Sequence, residues 1–361
     1  MKKTRINLLN NRLALIFAST AVISLASCSD DDDGIDTGEP EVEETETGEE
    51  TGEETETEGG TETTDCESVF FINLDASECA VDIQLELGIE SSYEETVEGT
   101  TRTIIVNNIP NHLVGDFPNS GNPNVIYSEN DADNQLISTY TMTTEPTLAG
   151  NVTSTGGFVS GVLFSGVGLE VQTNETYVNT ATGTANRDWN LVALQDARNL
   201  GLDCNNAHVQ PTGQYHYHAA PTAYVNDLGI DGTQMVKIGY AGDGFPIYYK
   251  YGYADDGVSI VAFESGYSLI EGERPGDGGD SPDGCYDGSY SQDYEFIAEN
   301  SELDECNGRT GRTPESDSEY YYVITDNYPS APICFSGTPD NSFSFGGQGG
   351  GGETEGGPGG M

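Results

Sequence analysis

The chain has 361 residues, 62 acidic against 12 basic, and a formal charge of −50 at pH 7. That length suits one large domain or two small ones. The charge argues against nucleic acid and anionic membrane surfaces as partners, because both would be repelled, and favours cations.

Residues 1–28 are predicted to be a signal peptide. Four basic residues in MKKTRINLLNNR precede the apolar run LALIFASTAVISLAS, too short to span a bilayer comfortably. Leu25-Ala26-Ser27-Cys28 closes it with small residues. This ending resembles a bacterial lipobox, which implies acylation of Cys28 and anchorage in a lipid bilayer. Residues 29–64 follow with 17 acidic residues and no basic one. Such a segment has little to bury and repels itself, so a disordered tether is expected. Ser29 and the four aspartates after it resemble the acidic export signal of surface lipoproteins from Bacteroidetes. The implied location is the outer membrane with the domain exposed at the cell surface. A plain spacer facing the periplasm is the alternative.

Residues 65–344 keep the imbalance, with 43 acidic and 8 basic residues. Within them, 65–100 reads as an N-terminal extension and 101–344 as the domain proper. Residues 345–361 are a Gly-rich tail without core-forming residues, expected to be disordered. The runs VNNIPNH (106–112), NQLISTYTMTTEP (134–146), GGFVSGVLFSGVGLEV (156–171), QMVKIGY (234–240) and EYYYVIT (319–325) are β-rich, several with period-two alternation. Gly, Pro, Asn and Asp clusters between them read as turns. NRDWNLVALQDARNL (186–200) has helical spacing: Trp189, Val192 and Leu200 share a face, Arg198 sits near the end and Gly201 follows as a stop. The predicted fold is mainly β, with long ordered loops and one or two short helices, in one disulfide-stapled domain.

With Cys28 lipidated, six cysteines remain: Cys66, Cys79, Cys204, Cys285, Cys306 and Cys334. An even number in an exported chain predicts up to three disulfides. Cys66 and Cys79 are near in sequence and are the first pair expected. No pair has CxxC spacing, so the thiols read as staples and not as ligands.

LDCNNAHVQPTGQYHYHAAP (202–221) can be laid over LDECNGRTGRTPESDSEYYYVITDNYP (303–329). His208 then falls close to Arg309, His216 on Tyr321 and His218 on Val323. The second copy keeps the framework and lacks every histidine. A strand of this shape therefore does not need histidine, and the histidines of the first copy ask for a separate reason.

Residues i and i+2 of a strand share a face. His216 and His218 lie on one face, about 7 Å apart at Cα, with Tyr215 and Tyr217 on the other. His208 lies upstream across a turn with Pro211 and Gly213. His112, in NNIPNHLVGDFPNSGNPN (107–124), is the last of the chain's four histidines and sits on a loop. Imidazole suits Zn, Cu, Ni and Fe. The expected metal site is His112, His208, His216 and His218, with Tyr215, Tyr217 or Asp243 as outer partner or extra ligand and Arg309 pairing with a carboxylate. Each has a plainer reading: hydrogen-bonded structural histidines, an Asx turn at Asp243, an ordinary ion pair at Arg309. A His–Asp acid/base pair is a third reading.

PNHLVGDFPNSGNPN, LDCNNAH, GQYHYHAAP, IGYAGDGFPIYYKYGY, LDECNGR and APICFSGTP resemble, in order, the pattern of the YHYH domain family, over roughly residues 100–340. All four histidines fall in these pieces. The departure is Tyr320-Tyr321-Tyr322, where the family often has a histidine. The resemblance implies an exported protein and no particular activity.

No phosphate loop with a following lysine and no GxSxG elbow is present. DGGDSPDGCYD (277–287) offers Ca²⁺ carboxylates and carbonyls without the EF-hand spacing; a solvated acidic loop is the plainer reading. The 20 tyrosines suit a glycan-binding face or simple packing. The expected function is a lipid-anchored surface protein that binds Cu or Zn. The alternative is a non-catalytic binding or adhesion module with structural histidines.

Overall fold

Most of the period-two runs become strands in a computed structural model that describes residues 66–127, 137–195, 200–277 and 279–345. The predicted signal peptide, the acidic tether and nearly all of the Gly-rich tail lie outside these residues. Two short helices, α1 (Ile83–Leu87) and α2 (Thr222–Asp227), are the α-helices among them. β1 (Tyr93–Glu98), β2 (Thr101–Val106) and β3 (Ser138–Thr143) form an antiparallel sheet. β4 (Thr153–Ser154) pairs with β19 (Cys334–Phe335). The main sheet is built from β5 (Gly161–Leu163), β6 (Gly168–Leu169), β9 (Ala207–Val209), β10 (Tyr215–Tyr217), β11 (Lys237–Ala241), β12 (Pro246–Tyr249), β17 (Gly308–Gly311) and β18 (Glu319–Ile324). Small hairpins complete the set: β7 (Thr176–Val178) with β8 (Ala185–Asn190), β13 (Tyr251–Tyr253) with β14 (Ile260–Ala262), and β15 (Tyr267–Leu269) with β16 (Tyr294–Phe296).

The main sheet runs β17-β18-β12-β11-β5-β6-β10-β9 and has an approximate two-fold relation at its centre. There β5 and β11 pair antiparallel, with Val162 opposite Tyr240. Outward on either side comes an antiparallel hairpin partner, then a parallel strand, then an antiparallel edge. Hydrogen bonds repeat with the strands. Gly166 N–H donates to Leu163 at 3.0 Å, and Gly244 N–H to Ala241 at 2.9 Å. Both glycines have positive φ, 86° and 93°, which the tight hairpin turn requires.

Two faces follow from the register. On the front, Tyr215, Tyr217, Tyr320, Tyr322, Leu169 and Ile247 enter the largest apolar core. On the back, the three-stranded sheet covers the centre: Ile104, Val106, Tyr140 and Met142 pack on Val162 and Tyr240. At one end of the back face, Met235, Phe263 and Leu303 seal Tyr248, Tyr321 and Val323. The opposite end of that face carries the histidines.

Three expectations change. The helix predicted at 186–200 is not formed over the described residues 186–195: β8 occupies Ala185–Asn190, and Leu191 and Gln195 make single bridges to Tyr290 and Phe70. Trp189 meets Tyr290 edge-on at 5.7 Å, and Val192 and Leu194 are buried with Ala219 and Tyr328. These tertiary partners outweigh the local spacing. Arg198 lies outside the described residues. VNNIPNH is not a strand beyond Val106, because Asn108 turns to φ 55° and Asn107 caps the chain, accepting from Ser92 N at 2.9 Å. Cys66 does not pair with Cys79. The disulfides are Cys66–Cys285, Cys79–Cys204 and Cys306–Cys334. Val69 N–H bonds Asp287 O at 2.7 Å, drawing Cys66 to Cys285, while Cys79 continues to α2 and the Cys204 turn. No helix of the described residues is long and apolar enough to cross a membrane.

Candidate metal centre

The site begins with a turn. Asp203 Oδ1 accepts from Asn205 N at 2.8 Å and Ala207 N at 3.3 Å, and Oδ2 accepts from Gly115 N at 3.0 Å and Tyr215 Oη at 2.7 Å. Burial pushes the pKa of this carboxyl up, and the four donors oppose that. Asn206 takes φ 53°, a left-handed position that asparagine tolerates, and its carbonyl accepts from His218 N at 2.9 Å. The turn clamps β9 onto β10 with His216 opposite His208. His218 follows on the same face.

The three rings form a nearly equilateral triangle, with centroids 4.6, 4.9 and 4.8 Å apart. One nitrogen of each lies within 4.8 Å of the others. His208 Nδ1 contacts the carbonyl of Leu200 at 3.2 Å, and a carbonyl only accepts, so Nδ1 carries the proton and Nε2 presents its lone pair toward His218. Nε2 of His208 and Nε2 of His218 are 3.3 Å apart. The edge of a tetrahedron with Zn–N bonds of about 2.0–2.1 Å is about 3.3–3.4 Å. One edge of the triangle thus has the length that such a tetrahedron requires.

Electrostatics keep the imidazoles neutral. Burial pulls His216 well below its ordinary pKa, and His218 and His208 add to that. Burial, then His208, pulls His218 down to about 3. Burial also lowers His208, against the Leu200 carbonyl and Glu175. Neutral imidazole is the form that ligates, so no proton must leave.

The triangle opens into a cleft of about 590 Å³ lined also by Glu170, Gln172, Glu175 and Gln210. Glu170 is the site residue that sequence reasoning missed. Its Oε2 lies 3.9 Å from His216 Nε2 and accepts from Gln210 Nε2 at 2.9 Å. Burial raises its pKa to about 7. The contact with His216 is not an ion pair, since burial holds that imidazole neutral. The available signal was an acid between Leu169 and Val171 in an otherwise apolar strand.

The other expected residues sit elsewhere. His112 is on the far side of β10: Nε2 bonds Tyr217 Oη at 2.7 Å and Nδ1 bonds Leu113 O at 2.9 Å, and burial lowers its pKa to about 4. Tyr217 Oη is also hydrogen-bonded to Ser165 Oγ at 2.8 Å, and Tyr215 donates to Asp203, so both tyrosines face the front core. Asp243 lies in the other half of the sheet and accepts from Tyr322 Oη at 2.6 Å and Gly337 N at 2.9 Å. Arg309 pairs with Asp255 at 2.8 Å and with Glu302 at 3.8 Å, not with Asp243. In the acidic loop, Arg274 pairs with Asp287 and Asp293, both at 2.5 Å. Among the described residues, the histidine triangle is the one group of three ligand-type side chains that converge.

The second half repeats the turn. Asp304 Oδ1 accepts from Cys306 N and Gly308 N, both at 2.9 Å, and Oδ2 from Tyr320 Oη at 2.8 Å. Asn307 takes φ 61° and its carbonyl accepts from Val323 N at 2.8 Å. Arg309 is opposite Tyr321, as His208 is opposite His216. The register puts Tyr248 where the first half has Glu170.

A family model described as YHYH protein matches residues 139–337. No curated protein and no solved structure matches the chain. The matched span begins after the loop of His112, encloses both halves of the main sheet and contains all three rings of the triangle. On that match, which takes in more than half of its residues, the chain belongs to the YHYH protein family.

Proposed function

We propose that this protein binds one transition-metal ion, Zn²⁺ or Cu²⁺, through His208, His216 and His218, at a coordination position open to the cleft. The carrying observation is three neutral, largely buried imidazoles turned onto one point with two Nε2 atoms 3.3 Å apart. Structural histidines spend their ring nitrogens on separate partners, as His112 does. Three protein ligands beside a cleft suit an exchangeable or catalytic centre better than a closed structural one. Equilibrium binding of Zn²⁺ and Cu²⁺ to the full chain, purified without a histidine tag, tests this. One equivalent is expected, retained in His112→Gln and lost in His216→Ala. No binding of either metal returns the molecule to a non-catalytic surface module.

The chain is also read as an exported lipoprotein held at the outer membrane by Cys28 and carried away from it by residues 29–64. Three disulfides fit an oxidising compartment. Metabolic labelling with a fatty acid should mark the protein and fail in Cys28→Ala; equal labelling of both would remove the anchor.

A further inference from the structure

The carboxylate of Glu170 stands at the mouth of the triangle and has no role in the fold that its surroundings explain. It is 5 % exposed. It has no lysine or arginine partner among the described residues, and the Oε2 that accepts from Gln210 is also the oxygen 3.9 Å from His216 Nε2. The three rings bring donor atoms within 4.8 Å of one another and Glu170 falls outside that set, which puts it beside the ligands and not among them. In the second half, with no histidines, the equivalent residue is Tyr248, which points its hydroxyl to Glu315 at 2.6 Å. The acid accompanies the rings.

Resting on the metal reading above, we infer that Glu170 is the positioning residue of the open coordination position: it accepts a hydrogen bond from a neutral oxygen donor there and disfavours anions. Water is the smallest such donor; an alcohol hydroxyl has the same chemistry. The cleft wall fits that class. Asn122, Asn124, Gln172, Asn174, Gln210 and Gln214 line it. These carboxamides donate and accept hydrogen bonds without adding charge. Glu170 and Glu175 supply negative potential, and the described lining includes no lysine or arginine.

Azide binding to the Cu²⁺-loaded full chain at pH 8, followed by its charge-transfer absorption, tests the inference. Wild type should bind azide weakly. Glu170→Gln should keep one Cu²⁺, with affinity lowered by no more than about a hundredfold, as for an outer partner. It should bind azide about tenfold more tightly, the effect of removing one like charge from a partly dry site. Glu170→Asp keeps the charge and should remain weak. Equal azide affinity in wild type and Glu170→Gln would overturn the inference while leaving the metal site standing. Loss of more than about a hundredfold in Cu²⁺ affinity in Glu170→Gln would also overturn it, by making Glu170 a ligand. A wild-type chain that binds neither Cu²⁺ nor Zn²⁺ would remove both readings.

Discussion

In the first half of the main sheet, His208, His216 and His218 face a cleft. In the second half, Arg309, Tyr321 and Val323 occupy the same ladder positions, and Tyr321 and Val323 are sealed under Met235, Phe263 and Leu303. The clamp beneath is common to both: an aspartate that gathers two backbone N–H groups and a tyrosine hydroxyl, then an asparagine with positive φ. What the halves share is what the strand pair needs in order to form. What they do not share is available for chemistry. One half spends its back face on an apolar seal and the other on three imidazoles and a carboxylate.

The widest separation between the halves should come from truncation. His216→Ala and His218→Ala should each weaken metal binding by about a hundredfold or more, since each removes one of three ligands. Tyr321→Ala should leave metal affinity unchanged and cost about 3–5 kcal/mol, the cost of emptying a buried aromatic site. Calorimetric titration and urea unfolding read the two effects. A loss of metal in Tyr321→Ala would break the comparison.

Ligand linkage comes next. At a free metal concentration of about 100 times Kd, the wild type should gain about 2.7 kcal/mol of stability. His112→Gln should keep that gain and His216→Ala should lose it, as read by urea midpoints with and without metal. The shared clamp predicts a matched pair. Tyr215→Phe and Tyr320→Phe should both destabilise, by about 1–3 kcal/mol where the buried Asp203 loses a donor and by less at the half-buried Asp304. Neither should alter metal stoichiometry. A cost confined to one half would show that the clamps are not equivalent.

The remaining effect is in pH, and it belongs to the histidine-bearing half. Burial lowers His112 from 6.5 to about 4, so the folded state resists its protonation. Its contribution is fully present above about pH 6.5 and is lost as pH falls toward 4, with a slope of at most about 1.4 kcal/mol per unit. In the metal-free protein the three site histidines act in the same direction. Urea unfolding at pH 7 and pH 5 should show the loss, and His112→Gln should reduce the slope. A slope unchanged by that substitution would contradict the burial of His112 as a neutral group.

Local rules made part of this visible from the amino-acid sequence. Strand alternation put His216 and His218 on one face and Tyr215 and Tyr217 on the other, and the internal repeat set Arg309, Tyr321 and Val323 against the histidines in the register the ladders have. The remainder depended on distant partners. His112 is as rich in signal as His208, but Tyr217 and Leu113 hold it behind β10. Glu170 looked like one acid among many until the parallel pairing of β6 with β10 brought it beside the rings. The 186–200 segment has helical spacing, but Tyr290, Tyr328 and Phe70 hold its residues 186–195 extended. Cys66 and Cys79 are near in sequence, and their partners are 219 and 125 residues away.

The central claim is that the histidine triangle holds a metal ion and that its counterpart in the second half does not. Anomalous diffraction at the zinc and copper edges, from crystals of the full chain grown with each metal, tests it most directly. The account predicts one strong peak about 2.0–2.1 Å from a nitrogen of each of His208, His216 and His218, with nothing beside Arg309, Tyr321 and Val323. A metal-saturated crystal with no peak in the triangle, or with its only peak on the acidic loop at 277–287, would contradict it.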